Sequence, residues 1–120
     1  MKTIEELFVA VKEAEVNAHL WHLRTSSYAE HKALEELYEG LRDNLDSLIE
    51  QTQGKFGTKI NPTGTIKILS STDVRMYLIK LSESIEKFIK NNLSDDKDLE
   101  NTALLLLETI NKVRYLLTLS

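Results

Sequence analysis

No cysteine occurs among the 120 residues, which excludes a disulfide framework, a zinc finger and a thiol nucleophile. Apolar runs are short. None approaches the ~20 residues of a membrane span, and no signal-peptide pattern opens the chain. Positive charge is in deficit: a net charge of -4 and a pI near 5.4 recommend no nucleic acid as a partner. Breakers are scarce too, with one proline and four glycines. What is left is the expectation of one domain with a modest core, in the cytoplasm by default.

Helical periodicity fills most of that domain. Leu34, Leu37, Leu41, Leu45 and Leu48 recur three or four apart, the buried stripe of an amphipathic helix. Ahead of it, Ile4, Leu7, Val11, Ala14, Ala18 and Trp21 make a second stripe, opened by Thr3 and Glu6 in capping-box spacing. Ser27 and Glu30 repeat that spacing at the next start, and Gly54 is the expected stop. Breakers then cluster: residues 55–71 hold the only proline and two glycines, and form either a short hairpin or a plain crossover loop. Thr72 is the expected cap of a third helix carrying Val74, Leu78, Leu81, Ile85 and Phe88. A fourth, more apolar helix follows Asp96, with Leu104, Leu105, Tyr115, Leu116 and Leu119 spare for another subunit. The expectation is an all-α four-helix bundle with helices near 3–24, 27–53, 72–92 and 97–118, and a long crossover at 54–71.

The second helix has another specialised face. His31, Glu35, Asp46 and Glu50 fall within about 100° of arc, away from the leucines. His31 and Glu35 are one turn apart, but Asp46 lies about 22 Å beyond His31 along the axis, out of reach of one ion. The two ends meet if a second copy packs antiparallel, setting His31 against Glu50 and Glu35 against Asp46. Both pairs of numbers have the same sum, so the two-fold axis falls between residues 40 and 41, and residue 40 is glycine. Glycine costs a helix about 1 kcal/mol relative to alanine, and a close crossing of two backbones would account for it. On the first helix, Glu15, His19 and His22 align at i, i+4 and i+7. Neutral imidazole with carboxylate suits iron, manganese or zinc; either His19 or His22 can be the ligand.

With HLRTSSYAEHKAL at 22–34, Tyr38 and Gln53-Gly54, this stretch resembles the mini-ferritins, the Dps-like branch of the ferritin-like superfamily, and looks closest to the short Dps-like proteins of tailed bacteriophages. His19, His31, Glu35, Asp46 and Glu50 follow that family's order and spacing. The resemblance implies ferritin-like topology and a ferroxidase centre shared across a two-fold axis, where Fe(II) is oxidised by peroxide or oxygen, with protection against oxidative damage as its purpose. Trp21, Tyr28 and Tyr38 would be its nearby aromatics, as redox partners or as packing. No lysine-rich tail precedes the first helix, so DNA compaction is not expected. The chain is shorter than cage-forming members, and no helix shows in its crossover. An antiparallel dimer is therefore the expected assembly, with a larger oligomer left open.

Two other classes fit the same residues. One is a non-catalytic helical bundle of a phage that binds a host or virion partner. The other is a metal-dependent hydrolase or transferase using His19, His22 and His31 as a three-histidine site within one chain.

Overall fold

In the computed structural model, which describes residues 1–70 and 72–120, four helices carry the chain and no strand forms among the described residues. The first, α1 (Ile4–Arg24), starts where Thr3 Oγ1 accepts the Glu6 N–H at 3.1 Å, with Glu5 and Glu6 against the positive helix end. Only Thr25 to Ser27 separate it from α2 (Tyr28–Phe56), capped by Ser27 Oγ accepting the Glu30 N–H at 3.2 Å. So short a link makes the two helices antiparallel neighbours.

Two boundaries differ from expectation. Rather than stopping at Gln53, α2 runs on to Phe56, and Gly57 ends it at φ 68 with its N–H on the Gln53 carbonyl at 2.9 Å. The left-handed terminating position takes glycine without a Cβ penalty, and Gly57 fills it in place of Gly54. Likewise α3 (Val74–Asn92) is capped by Asp73 rather than Thr72, its carboxylate accepting the Met76 N–H at 3.1 Å. The last helix, α4 (Lys97–Leu117), begins without a side-chain cap. Lys55 Nζ lies 2.9 Å from both the Asp96 and Asp98 carboxylates and ties the end of α2 to that start.

The core is the set of stripes read from the periodicity. All five α2 leucines are fully buried, packed with Leu7, Val11, Ala14 and Ala18 of α1, Leu78 and Ile85 of α3, and Leu99, Ala103, Leu106 and Ile110 of α4. Each such leucine contributes about 1.5–3 kcal/mol of transfer free energy. In the packing, α2 touches both α1 and α4, α3 lies on α4, and α3 and α1 meet lightly. No helix among the described residues is long and apolar enough to cross a membrane.

Between Gly57 and Asp73 the hairpin alternative does not form among the described residues; Ser71, the expected last residue of the connection, lies outside them. Polar groups on the flanking helices hold the connection. The Ile60 N–H donates to Gln53 Oε1 at 3.0 Å, and the Lys67 N–H to Glu13 Oε1 at 2.9 Å. Asn17, fully buried on α1, donates Nδ2 to the Lys67 carbonyl at 2.8 Å and accepts the Leu69 N–H at 2.7 Å. Trp21 Nε1 donates to the Leu69 carbonyl at 3.2 Å, and its ring meets Tyr77 edge-on at 5.4 Å. The connection therefore lies along α1 and delivers α3 beside the end of α1.

Gly40, expected at a crossing between two chains, meets α4 of its own chain. A Cβ there would stand 2.7 Å from Thr109 Cγ2 and 3.0 Å from its Oγ1. That intrachain approach by itself accounts for the glycine.

Candidate metal centre

The α1–α2 elbow brings two histidines together. His22, in the last turn of α1, has Nδ1 2.6 Å from the His31 carbonyl, and His31, in the first turn of α2, has Nδ1 2.7 Å from the His22 carbonyl. A carbonyl only accepts, so both Nδ1 atoms carry the proton and, in the neutral rings, both Nε2 atoms present a lone pair. Metal-ligating histidines are commonly oriented in this way, one nitrogen on a carbonyl and the other on the ion. The rings stack, with centroids 3.7 Å apart and planes 17° from parallel. His22 is buried beneath, and His31 is half-buried.

That stacking limits what the pair can hold. An imidazole ligates in its own plane at about 2.0–2.1 Å. Two nearly parallel planes so far apart cannot aim both lone pairs at one ion, so at most one ring of the pair serves a given metal. On the same ground, His22 and His31 do not both face one ion together with His19 in this geometry. Among the described residues, no three of His, Asp and Glu are grouped to hold a metal.

His19 is placed differently. It is exposed one turn before His22, its ring stacked on Tyr38 at 4.6 Å. The cleft beside it, about 360 Å³, is lined by Glu15, Val16, Leu20, Tyr38, Arg42 and Ile68. Glu15 is engaged with Lys12 at 2.9 Å and half-buried. Glu35 lies one turn beyond His31 and pairs with Lys32 at 2.9 Å. The hydrogen bond and charge of Lys32 hold its carboxyl below the usual range, with His22 and His31 adding in the same direction.

Asp46 and Glu50 are exposed further along α2, and neither is in an ion pair among the described residues. At 1.5 Å per residue they start about 22 Å from His31, so a single chain does not bring the two halves of the ligand set together. The structure thus places His22 against His31 and 6.1 Å from His19, with Glu35 one turn along α2, without bringing three of them onto one ion among the described residues, and leaves Asp46 and Glu50 apart.

Of the aromatic residues, Trp21 is a packing residue, occupied by Leu69 and Tyr77. Tyr38 stands between His19 and His22, and Tyr28 is exposed with its ring 6.3 Å from His31. Two side chains outside the expected set shape the site: Lys32, whose i, i+3 spacing to Glu35 was the available signal, and Arg42, which shares the His19 cleft.

A family model matches the chain over residues 22–117, a span that includes His22, His31, Glu35, Asp46 and Glu50 but not Glu15 or His19. No curated protein and no solved structure matches it.

Proposed function

The chain belongs to DUF5856, a family of unknown function, and for it we propose a Dps-like role: a bundle of ferritin-like topology that pairs with a second copy and oxidises Fe(II) at a site shared between the two chains. One observation carries the reading. Asp46 and Glu50 stand exposed and without a cationic partner among the described residues, one turn apart, on the helix that carries His31 and Glu35. The long connection laid along α1 supports the topology.

Antiparallel pairing of α2 brings Asp46 and Glu50 of the second copy to the elbow. Carboxylate then faces carboxylate where Glu35 meets Asp46, which is unfavourable unless both are ligands of one cation. Dimer formation and metal binding are thus linked. Iron here is substrate: two Fe(II) give one electron each to a peroxide, which takes up two protons and leaves as two waters. The chain's residues prepare that exchange. His31 offers Nε2, fixed by its Nδ1–H on the His22 carbonyl, and His19 offers an exposed ring. His22 is the positioning residue beneath them. The three carboxylates favour the harder ferric ion over the ferrous one. Manganese or zinc would fit the same donors.

The test is anaerobic Fe(II) titration of the wild type and Glu50→Ala, then exposure to peroxide, with mass by light scattering on the same samples. The expected result is saturable binding and oxidation faster than in buffer, both lost in Glu50→Ala. Iron that neither saturates nor oxidises faster than in buffer refutes the reading.

A second reading, a non-catalytic bundle that binds a phage or host partner, draws on the exposed Leu104, Leu105, Tyr115 and Leu119. Under it, Glu50→Ala leaves metal content and stability unchanged, and His31→Ala loses the stability of its latch to His22 without changing metal content.

A further inference from the structure

We infer that the partner of the outer α2 face is a second copy of this chain held in register by Glu39 and Arg42, each pairing with the other's counterpart across the two-fold axis. The inference rests on the shared-site reading and names what aligns the two chains before any metal is bound. From His31 to Glu50 the sequence has six carboxylates, Glu35, Glu36, Glu39, Asp43, Asp46 and Glu50, and two basic residues, Lys32, already paired with Glu35 at 2.9 Å, and Arg42. Two copies of so acidic a face repel unless the cation not so engaged meets an anion of the other chain.

Its position fits the requirement. The axis that sets His31 against Glu50 and Glu35 against Asp46 falls between residues 40 and 41, and it also sets Arg42 against Glu39. At 3.6 residues per turn, Glu39 and Arg42 both lie inside the arc bounded by His31 and Glu50. They sit within about 3 Å of the axis along the helix, so the two ion pairs formed by symmetry are central, and the two ligand clusters lie outside them. Gly40 plays no part, being turned to Thr109 of its own chain.

Among the described residues, neither side chain has more than a weak, exposed partner within its own chain. Glu39 is exposed and makes no ion pair among the described residues. The contact of Arg42 is with its sequence neighbour Asp43 at 3.4 Å, with the two side chains 47% and 71% exposed. Contacts of that kind are worth little, so both groups are free to exchange them. Any one-residue shift of the antiparallel register takes Arg42 off Glu39 and misaligns both ligand pairs, so the seam selects the arrangement that the ligands require.

The experiment measures dimer dissociation of the full chain by sedimentation equilibrium, with and without saturating Zn(II), a divalent ion without redox chemistry. Wild type, Arg42→Glu, Glu39→Arg and the double charge swap are compared, with helix content by circular dichroism as the folding control. Each single reversal is expected to weaken the dimer by about tenfold or more, and the double swap to restore it to near wild type. Single variants that dimerise as tightly as wild type, or a double swap as weak as the singles, overturn the inference while leaving the shared site standing. A wild type that stays monomeric at saturating Zn(II) instead removes the shared-site reading, and this inference with it.

Discussion

His22 and His31 each donate an Nδ1–H to the other's main-chain carbonyl, so the end of α1 and the start of α2 are latched by a reciprocal pair of hydrogen bonds under two stacked rings. The latch separates two roles that sequence spacing alone leaves merged. A buried ring that holds the elbow and an exposed ring that meets solvent respond differently to removal.

Truncating His22 takes from the His31 carbonyl the donor it has besides its helical one and opens a gap under the His31 ring. His22→Ala is expected to cost about 1–3 kcal/mol of stability. His19→Ala, on the exposed face, is expected to stay within about 0.5 kcal/mol of wild type, while weakening Fe(II) binding. Urea denaturation of both variants, paired with Fe(II) titration, checks the split. Equal stability losses at the two positions would refute it.

The crossing of the connection over α1 hangs on Asn17. Its amide meets the chain at Lys67 and Leu69 much as a neighbouring strand would, donating to one carbonyl and accepting from one N–H. Asn17→Ala strands both groups and is expected to cost about 1–3 kcal/mol. The connection is also expected to become cleavable: limited trypsinolysis should cut faster after Lys59 and Lys67 than in wild type. Unchanged cleavage would mean that Trp21 and Glu13 hold the segment without it.

Alkaline pH gives a third test. Burial, with the nearby Glu13 carboxylate second, pushes the Tyr77 hydroxyl from 10.0 up to about 12. A folded-state value above the unfolded one means that the folded chain binds more protons between the two. The stability is therefore fully present below pH 10 and is lost as pH rises towards 12. Tyr77 is only partly buried, so screening reduces the effect to about 1 kcal/mol. In Tyr77→Phe this part of the alkaline decline should vanish from a pH series of urea midpoints.

Helices and core were legible because period and caps are local. The stripes of α1 and α2 are buried as read except Ile4, which is half-buried at the start of α1, and Thr3 and Ser27 cap where their spacing put them. The end of α2 was missed by one turn because Gly54 and Gly57 are both competent stops, and the choice between them depends on which one takes the left-handed turn. At the start of α3, Thr72 and Asp73 are both cap residues by type, with Asp the stronger, and Asp73 takes the position. At the site, helical spacing placed His31 and Glu35 together and Asp46 and Glu50 apart. It could not separate His19 from His22, since burial of one ring depends on how α1 leans on α2. Asn17 carried a signal, a polar residue within the stripe between Ala14 and Ala18, but its partners are some fifty residues away in the chain.

Gly40 and Thr109 supply the last prediction, which asks why a glycine stands inside a 29-residue helix. Alanine at 40 gains about 1 kcal/mol of helix propensity. It also drives a Cβ to 2.7 Å from Thr109 Cγ2, an overpacking that costs about 1–3 kcal/mol in a tight core. The Thr109 side chain cannot simply turn away, because its Oγ1 accepts from Asn44 Nδ2 at 3.1 Å. Gly40→Ala is therefore expected to lose about 1 kcal/mol net. Thr109→Ser removes the clashing methyl and keeps the hydroxyl at 3.0 Å, so in that background the loss on Gly40→Ala should shrink towards neutral. A double-mutant cycle by urea denaturation measures the difference on the monomer. If Gly40→Ala instead leaves stability untouched and abolishes dimerisation, the glycine belongs to a crossing between chains and the α2–α4 contact is not its reason.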